Sequence, residues 1–163
     1  MAKGKTGKGG EVGEGPQLVA TNKKARHRYE ILERFEAGIE LLGSEVKSLR
    51  GGHISISESY AKVDGHQVFV HNLNVERYAQ SGYVQLDPLR IRRLLLHRAE
   101  IRRIQTALER KGLTLVPLRL YFKHGLAKVE VALARGKGAP DKREAMKTAD
   151  VQRELARAVM RKR

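Results

Sequence analysis

The chain is predicted to be mainly β: a small antiparallel barrel with capping helices and a basic tail at each end. Three observations predict it. Apolar and polar residues alternate at period two in several runs from Tyr29 onward. Two-residue turn signals, Asp64-Gly65 and His124-Gly125, separate such runs. The 163 residues carry 33 Lys and Arg against 18 Asp and Glu, a formal charge of +15, and that excess is densest at the two ends.

The length suits one domain. Residues 1–20 are rich in Gly and Lys and nearly devoid of apolar side chains, so a disordered basic arm is expected there. From Tyr29, the residues Ile31, Phe35, Ala37, Ile39 and Leu41 share one parity, and Glu30, Arg34, Glu36, Gly38 and Glu40 the other. That pattern is a half-buried strand with Glu36 facing outward, Glu33 as its one exception and Gly38 as a bend or bulge. Ser44–Arg50 reads as a short helix capped by Ser44 and stopped by Gly51-Gly52.

A strand from Ile54 to Val63 follows, then the turn and a returning strand at Val68–Val70. Asn72–Gln85 reads as loop, with a short strand near Tyr83–Leu86. Asp87-Pro88 predicts a helix start, carried through Leu96. Ile101, Ile104 and Leu108 predict a second helical segment ending at Lys111-Gly112. Val116, Leu118, Leu120 and Phe122 are expected on one strand face, and Ala127, Val129, Val131 and Leu133 on another, which turns Lys128 outward. Residues 136–163 form the C-terminal tail. It has a hinge at its start, then a helix-prone stretch with Val151, Leu155 and Val159 four residues apart, expected to be helical when bound. The expected division is an arm over 1–20, an OB-like body over 21–135 and a tail over 136–163.

Charge sets the class of partner. Residues 1–28 hold seven basic and two acidic side chains, residues 29–135 hold 17 and 12, and residues 136–163 hold nine and four, a surplus of +5 in each. A polyanion is the expected partner: RNA, DNA, an anionic membrane surface or an acidic protein. Basic clusters stand at Lys23-Lys24-Ala25-Arg26-His27-Arg28 and along Arg90, Arg92, Arg93 and Arg98. Three Phe, five Tyr and no Trp are too few for a generic single-strand binder built on stacking. A folded RNA read by shape and phosphate contacts fits better.

Cysteine is absent, so disulfides and thiolate metal sites are excluded. No apolar stretch follows the basic N-terminus and no run of about 18 apolar residues exists, so a cytoplasmic protein without a membrane span is expected. Six His have no metal-ligand spacing, and no nucleophile or phosphate-loop motif is present. No catalytic residue, metal or cofactor is expected.

Several strings sharpen the reading. Asn22-Lys23-Lys24-Ala25-Arg26-His27, Phe35-Glu36-Ala37-Gly38-Ile39 and Gly43-Ser44-Glu45-Val46-Lys47-Ser48-Leu49-Arg50 come first. Ser59-Tyr60-Ala61, Arg92-Arg93-Leu94-Leu95-Leu96-His97, Lys128-Val129-Glu130 and Asp141-Lys142-Arg143 follow in the same order. Together, over about residues 21–143, they resemble the bacterial SsrA-binding protein family, also called small protein B.

The resemblance implies an OB-type barrel that binds the tRNA-like domain of transfer-messenger RNA (tmRNA) and delivers it to stalled ribosomes for trans-translation. It implies RNA contact by Glu36, Leu95, His97 and Lys128, to which Asn22, Lys23, Arg26 and His27 are added as phosphate contacts. It also implies a tail that probes the empty decoding centre and messenger channel through Gly136, Lys137, Asp141, Lys142 and Arg143, with Val159-Met160 as a looser apolar match. A monomer is expected in that complex. The sequence departs from the family pattern at Arg77, Gly138 and Pro140. A basic structural protein of the ribosome is the competing reading of the charge.

Overall fold

The computed structural model describes residues 15–78, 86–110, 112–137 and 139–161, the last with backbone alone for 139–148 and 161. In chain order the elements are β1 (Gln17–Thr21), α1 (Lys23–Arg28), β2 (Tyr29–Ile39), α2 (Gly43–Arg50), β3 (Ile54–Ser55), β4 (Tyr60–Asp64) and β5 (Gln67–His71). Then come β6 (Asn74–Val75), β7 (Arg92–Leu95), α3 (Arg98–Leu108), β8 (Leu113–Lys123), β9 (Leu126–Gly136) and α4 (Ala139–Arg161). The main sheet runs β1-β8-β4-β5-β7-β2-β9, and β8 also pairs with β9, so the sheet closes on itself. β3 and β6 form a small separate pair. The expected mainly β antiparallel class holds, and the closure agrees with an OB-like barrel. Among the described residues, no helix is long and apolar enough to cross a membrane.

The barrel is filled by alternate side chains of its strands: Phe35 and Ala37, Val68 and Val70, Leu94, Leu120, Val129 and Val131. Ile101 and Ile104 of α3 and Leu49 of α2 complete this core. A second, smaller cluster lies elsewhere and holds Ala25 of α1 with Val116, Leu118, Ala132 and Ala134, flanked by Tyr29 and Ile31. Two bulges explain how single strands serve both clusters. The β2–β9 register slips between Ile31 and Glu33, leaving Leu32 unpaired, and the β8–β9 register slips between Pro117 and Arg119, leaving Leu118 unpaired. One extra residue turns the following side chains to the other face. Ile31 therefore packs in the small cluster and Phe35 in the barrel, although both have odd numbers. Val116 and Leu118 likewise part from Leu120 and Phe122, which corrects the expectation of one shared face. Glu33, the parity exception, lies beside the first bulge and pairs with Arg103 at 2.9 Å.

Other expectations change in detail. β1 pairs with β8 through Leu18↔Tyr121 and Ala20↔Leu120, so Gln17–Thr21 belongs to the sheet and not to an arm reaching residue 20. The Gly-Lys composition of the whole stretch hid a short β-competent Leu-Val-Ala-Thr run. Residues 1–14 lie outside the described part, as does the strand expected near Tyr83–Leu86 except for Leu86. The strand from Ile54 is broken after Ser55 and resumes at Tyr60. α2 is capped by Glu45, whose Oε1 accepts from the Leu42 amide at 3.0 Å, and not by Ser44.

The helix expected from Asp87 to Leu96 is absent. Asp87 accepts from the amides of Leu89 and Arg90, which closes a single turn, and Arg92–Leu95 is strand β7. An Asp-Pro pair opens turns as well as helices. What decides here is the alternation of Arg92 and Leu94 inward with Arg93 and Leu95 outward. Arg92 is only 1% exposed. Its Nε donates to Glu45 Oε2 at 2.5 Å, and its Nη1 to the carbonyls of Leu73 (2.8 Å) and Arg90 (3.0 Å). Arg90 donates to the other oxygen of Glu45 through Nε at 3.1 Å. Burial alone would raise the Glu45 carboxyl, but hydrogen bonds from Arg90, the Leu42 amide and Arg92 outweigh it and hold the group below its usual range. This buried triad ties α2 to the segment that leads into β7.

Candidate nucleic-acid interface

Cross-strand register brings distant residues into one row on the outside of the barrel. Leu95 on β7 pairs with Gly38 on β2, Gly38 with Lys128 on β9, and Lys128 with Tyr121 on β8. Paired residues share a face. Glu36, two residues before Gly38, lies on that face as well. The chain leaves β7 at Leu95, and His97 starts α3, where Glu100 accepts from the His97 amide at 3.0 Å. An open groove of about 680 Å³ results, with Glu36, Leu95, His97 and Lys128 all in its lining. Four of the eight body residues named from the sequence thus converge, from four different elements or element ends.

Gly38 is neither bend nor bulge. A β-carbon there would lie 3.3 Å from Leu95 Cβ, so glycine lets Leu95 lie across β2. Leu95 is 49% exposed, on a strand and outside the core, which leaves an apolar side chain open to the groove beside charged and polar ones.

Glu36 is exposed but fixed. The Tyr121 hydroxyl donates to its Oε2, and Lys123 Nζ lies 3.4 Å from its Oε1. The Tyr121 hydrogen bond is the chief reason the Glu36 carboxyl stands below its usual range, with Lys123 and Lys128 adding to it against some desolvation. Burial, and then the Glu36 carboxylate, push the Tyr121 phenol up. Glu130, beside Glu36 in register, is held by Arg119 Nε at 3.1 Å and Arg34 at 3.4 Å. Tyr121 and Lys123 were not singled out from the sequence. The signal was available, since they share parity with Arg119, opposite to inward-facing Leu120 and Phe122.

The remaining body residues lie elsewhere. Lys23, Arg26 and His27 are exposed on α1, which rests on Ala25 and does not line the groove. Asn22 is corrected as a phosphate contact: it is 4% exposed and committed to the fold. Its Nδ2 donates to the Pro117 carbonyl at 3.0 Å, and its Oδ1 accepts from the Ala25 amide at 3.2 Å to cap α1. Of the expected cluster of Arg90, Arg92, Arg93 and Arg98, the first three are committed, because Arg90 and Arg92 serve Glu45 and Arg93 pairs with Glu40 at 2.9 Å, while Arg98 is exposed and lines the groove.

The tail begins on the body. Gly136 pairs with Tyr29 at the end of β9. The Lys137 amide donates to the Arg28 carbonyl at 2.9 Å, and its ammonium to the Arg26 carbonyl at 3.2 Å, at the C-terminal end of α1, where a cation is favoured. Asp141, Lys142 and Arg143 lie in α4, and Gly138 lies outside the described residues. Val159 and Met160 are 66% and 79% exposed on that helix. Among the described residues, no cluster of three His, Asp or Glu could hold a metal ion.

With the groove, α1 and α4 placed, comparison with known proteins decides the family. The model of the SmpB protein family matches residues 19–161. The chain belongs to the SmpB family. The SmpB match spans β1 to the end of α4, so it includes the groove and nearly all of the tail. Relatives named SsrA-binding protein include one from Oleidesulfovibrio alaskensis, 50% identical over 147 residues, which are 90% of this chain and 95% of the relative. One from Geobacillus thermodenitrificans is 50% identical over 146 residues, covering 90% and 94%. One from Mycobacterium leprae is 49% identical over 148 residues, covering 91% and 92%. A chain from a solved structure described as "tmRNA-SmpB: a journey to the center of the bacterial ribosome" is 48% identical. It superposes with a TM-score of 0.64 over 78% of this chain and 93% of that one.

Proposed function

We propose that this SmpB-family chain binds the tRNA-like domain of tmRNA through the Glu36–Leu95–His97–Lys128 groove and delivers it to stalled ribosomes for trans-translation. The convergence of those four residues on one outer face carries the reading. Lys128 supplies charge to a phosphate, Leu95 an apolar surface for a base or ribose, and His97 and Glu36 directional hydrogen bonds. The exposed polar side chains of α1, Lys23, Arg26 and His27, add phosphate contacts on a second surface. Gly136 and Lys137, bonded to the body, set where the tail leaves it, and α4, with Asp141, Lys142, Arg143, Val159 and Met160, enters the vacant decoding centre and messenger channel. On this reading the chain works in the cytoplasm as a monomer within the complex and is not an enzyme, since peptide transfer belongs to the ribosome. A basic structural protein of the ribosome is the less favoured reading, because nothing in it accounts for a fixed carboxylate at the centre of a basic surface.

Lys128→Glu tests the groove. It is expected to weaken tmRNA binding and to lower the salt slope by about one, the signature of one lost phosphate contact. Folding should be unchanged, since Lys128 faces the groove and not the core. Equal affinity for the two proteins across a salt titration would remove Lys128 from the interface.

A further inference from the structure

Glu36 is exposed, so burial does not require a partner for it. Yet Tyr121, only 6% exposed, donates to Oε2 while Lys123 approaches Oε1. Tyr121 lies on β8 and Glu36 on β2, with β9 between them. The bond therefore spans two strand spacings, roughly 9–10 Å, a reach that a phenol has and a Ser or Thr lacks. The register is diagonal, Tyr121 facing Lys128 and Glu36 facing Glu130. Other groups around the carboxylate are mostly cationic: Arg119 and Lys123 on β8, Lys128 on β9, Arg34 on β2, and Arg93 and Arg98 across the groove, with the His97 imidazole beside them. Among the described residues, two further acids line this surface: Glu130, whose charge is taken up by Arg34 and Arg119, and Glu100, which accepts from the His97 amide.

We propose that Tyr121 is a positioning residue that fixes the Glu36 carboxylate to accept a hydrogen bond from a donor of bound RNA, a ribose 2′-hydroxyl or a base N–H. The proposal rests on the reading of Glu36 as an RNA contact. An ionised carboxylate only accepts, so a phosphate cannot satisfy it and is repelled. Without Tyr121, Oε2 would be free to turn onto a neighbouring lysine or arginine, as Oε1 already turns to Lys123, and the group would select nothing. Held by Tyr121, it keeps lone pairs aimed into the groove and admits RNA only in the register that places a donor there. The surrounding cations draw in the phosphates, and the fixed acid sets which nucleoside edge lies among them.

Tyr121→Phe keeps the ring and removes the hydroxyl. Compared in the full-length chain with Glu36→Gln and the double variant, it is expected to weaken tmRNA binding about fivefold to tenfold with an unchanged salt slope, because no phosphate contact is lost. The double variant should bind no worse than Glu36→Gln alone, since Tyr121 acts only through Glu36. A carboxyl-carbon NMR titration of Glu36 should show its midpoint rise toward the ordinary carboxylate value in Tyr121→Phe, a change that loosened packing alone would not bring. Wild-type affinity in Tyr121→Phe beside a weakened Glu36→Gln would overturn the role of Tyr121. So would fully additive losses in the double variant, or an unmoved midpoint. Wild-type affinity in Glu36→Gln would instead overturn the reading of Glu36 itself, and this proposal with it.

Discussion

Truncation after Lys137 is expected to abolish tagging of stalled chains while leaving tmRNA affinity within about threefold of the full chain near physiological salt. Lys137 is the natural place to cut, because its amide and ammonium are bonded to α1 and belong to the body. Beyond it, every described side chain from Ala149 to Met160 is exposed, including Val151, Leu155 and Val159. Removing these described side chains takes no packing from the barrel. The small expected loss of affinity is electrostatic and should vanish as salt is raised. The tail's 23-residue helix is about 35 Å long, which suits a probe extending from the body into a channel. Its exposed apolar stripe has no partner within the described chain, and a helix of this kind gains by meeting one. Tagging and tmRNA filter binding, measured side by side, check this. Persistent tagging would remove the tail from the mechanism, and lost binding would show that body and tail are not separable.

Glu45→Ala is expected to destabilise the fold by about 3–5 kcal/mol, a large part of the roughly 5–15 kcal/mol that a domain has. The change leaves Arg92, buried and always charged, without its counter-ion. It also removes the cap of α2 and frees Arg90. The pH dependence has a definite sign. The folded-state value of Glu45 is depressed, so its stabilisation is present above the unfolded value and is lost as pH falls through the folded one. The deficit of Glu45→Ala should therefore be widest at neutral pH and narrow in acid. Urea unfolding at neutral and acidic pH measures it. Equal deficits at both would mean that packing of the side chain, and not its charge, is what α2 needs.

The fold class was legible because period two survives in β2, β5 and β9, whose inward residues form the barrel core. What the pattern could not disclose was where it changes face. The bulges at Leu32 and Leu118 leave the alternation almost undisturbed while turning the side chains that follow from one cluster to the other. β7 was misread because Arg92 is charged and inward, the reverse of the usual rule, and only Glu45, 47 residues away in the chain, makes that possible. Asn22 was misread for a related reason: a polar residue beside lysines looks like surface until its two hydrogen bonds are seen. In the groove, the outward parity of Glu36 and Lys128 was readable from each strand alone. The row joining Leu95, Gly38, Lys128 and Tyr121 was not, since it depends on the register of four strands.

The central claim, that this outer groove is where tmRNA is held, is most directly tested by a photo-crosslinking residue at position 95. Leu95 is exposed, lines the groove and lies against Gly38 without filling the core, so a benzoyl-phenylalanine there should be tolerated. Illuminated in the complex with tmRNA on stalled ribosomes, it is predicted to crosslink within the tRNA-like domain of tmRNA. Crosslinks confined to ribosomal RNA, from a derivative that still binds tmRNA with full affinity, would contradict the account.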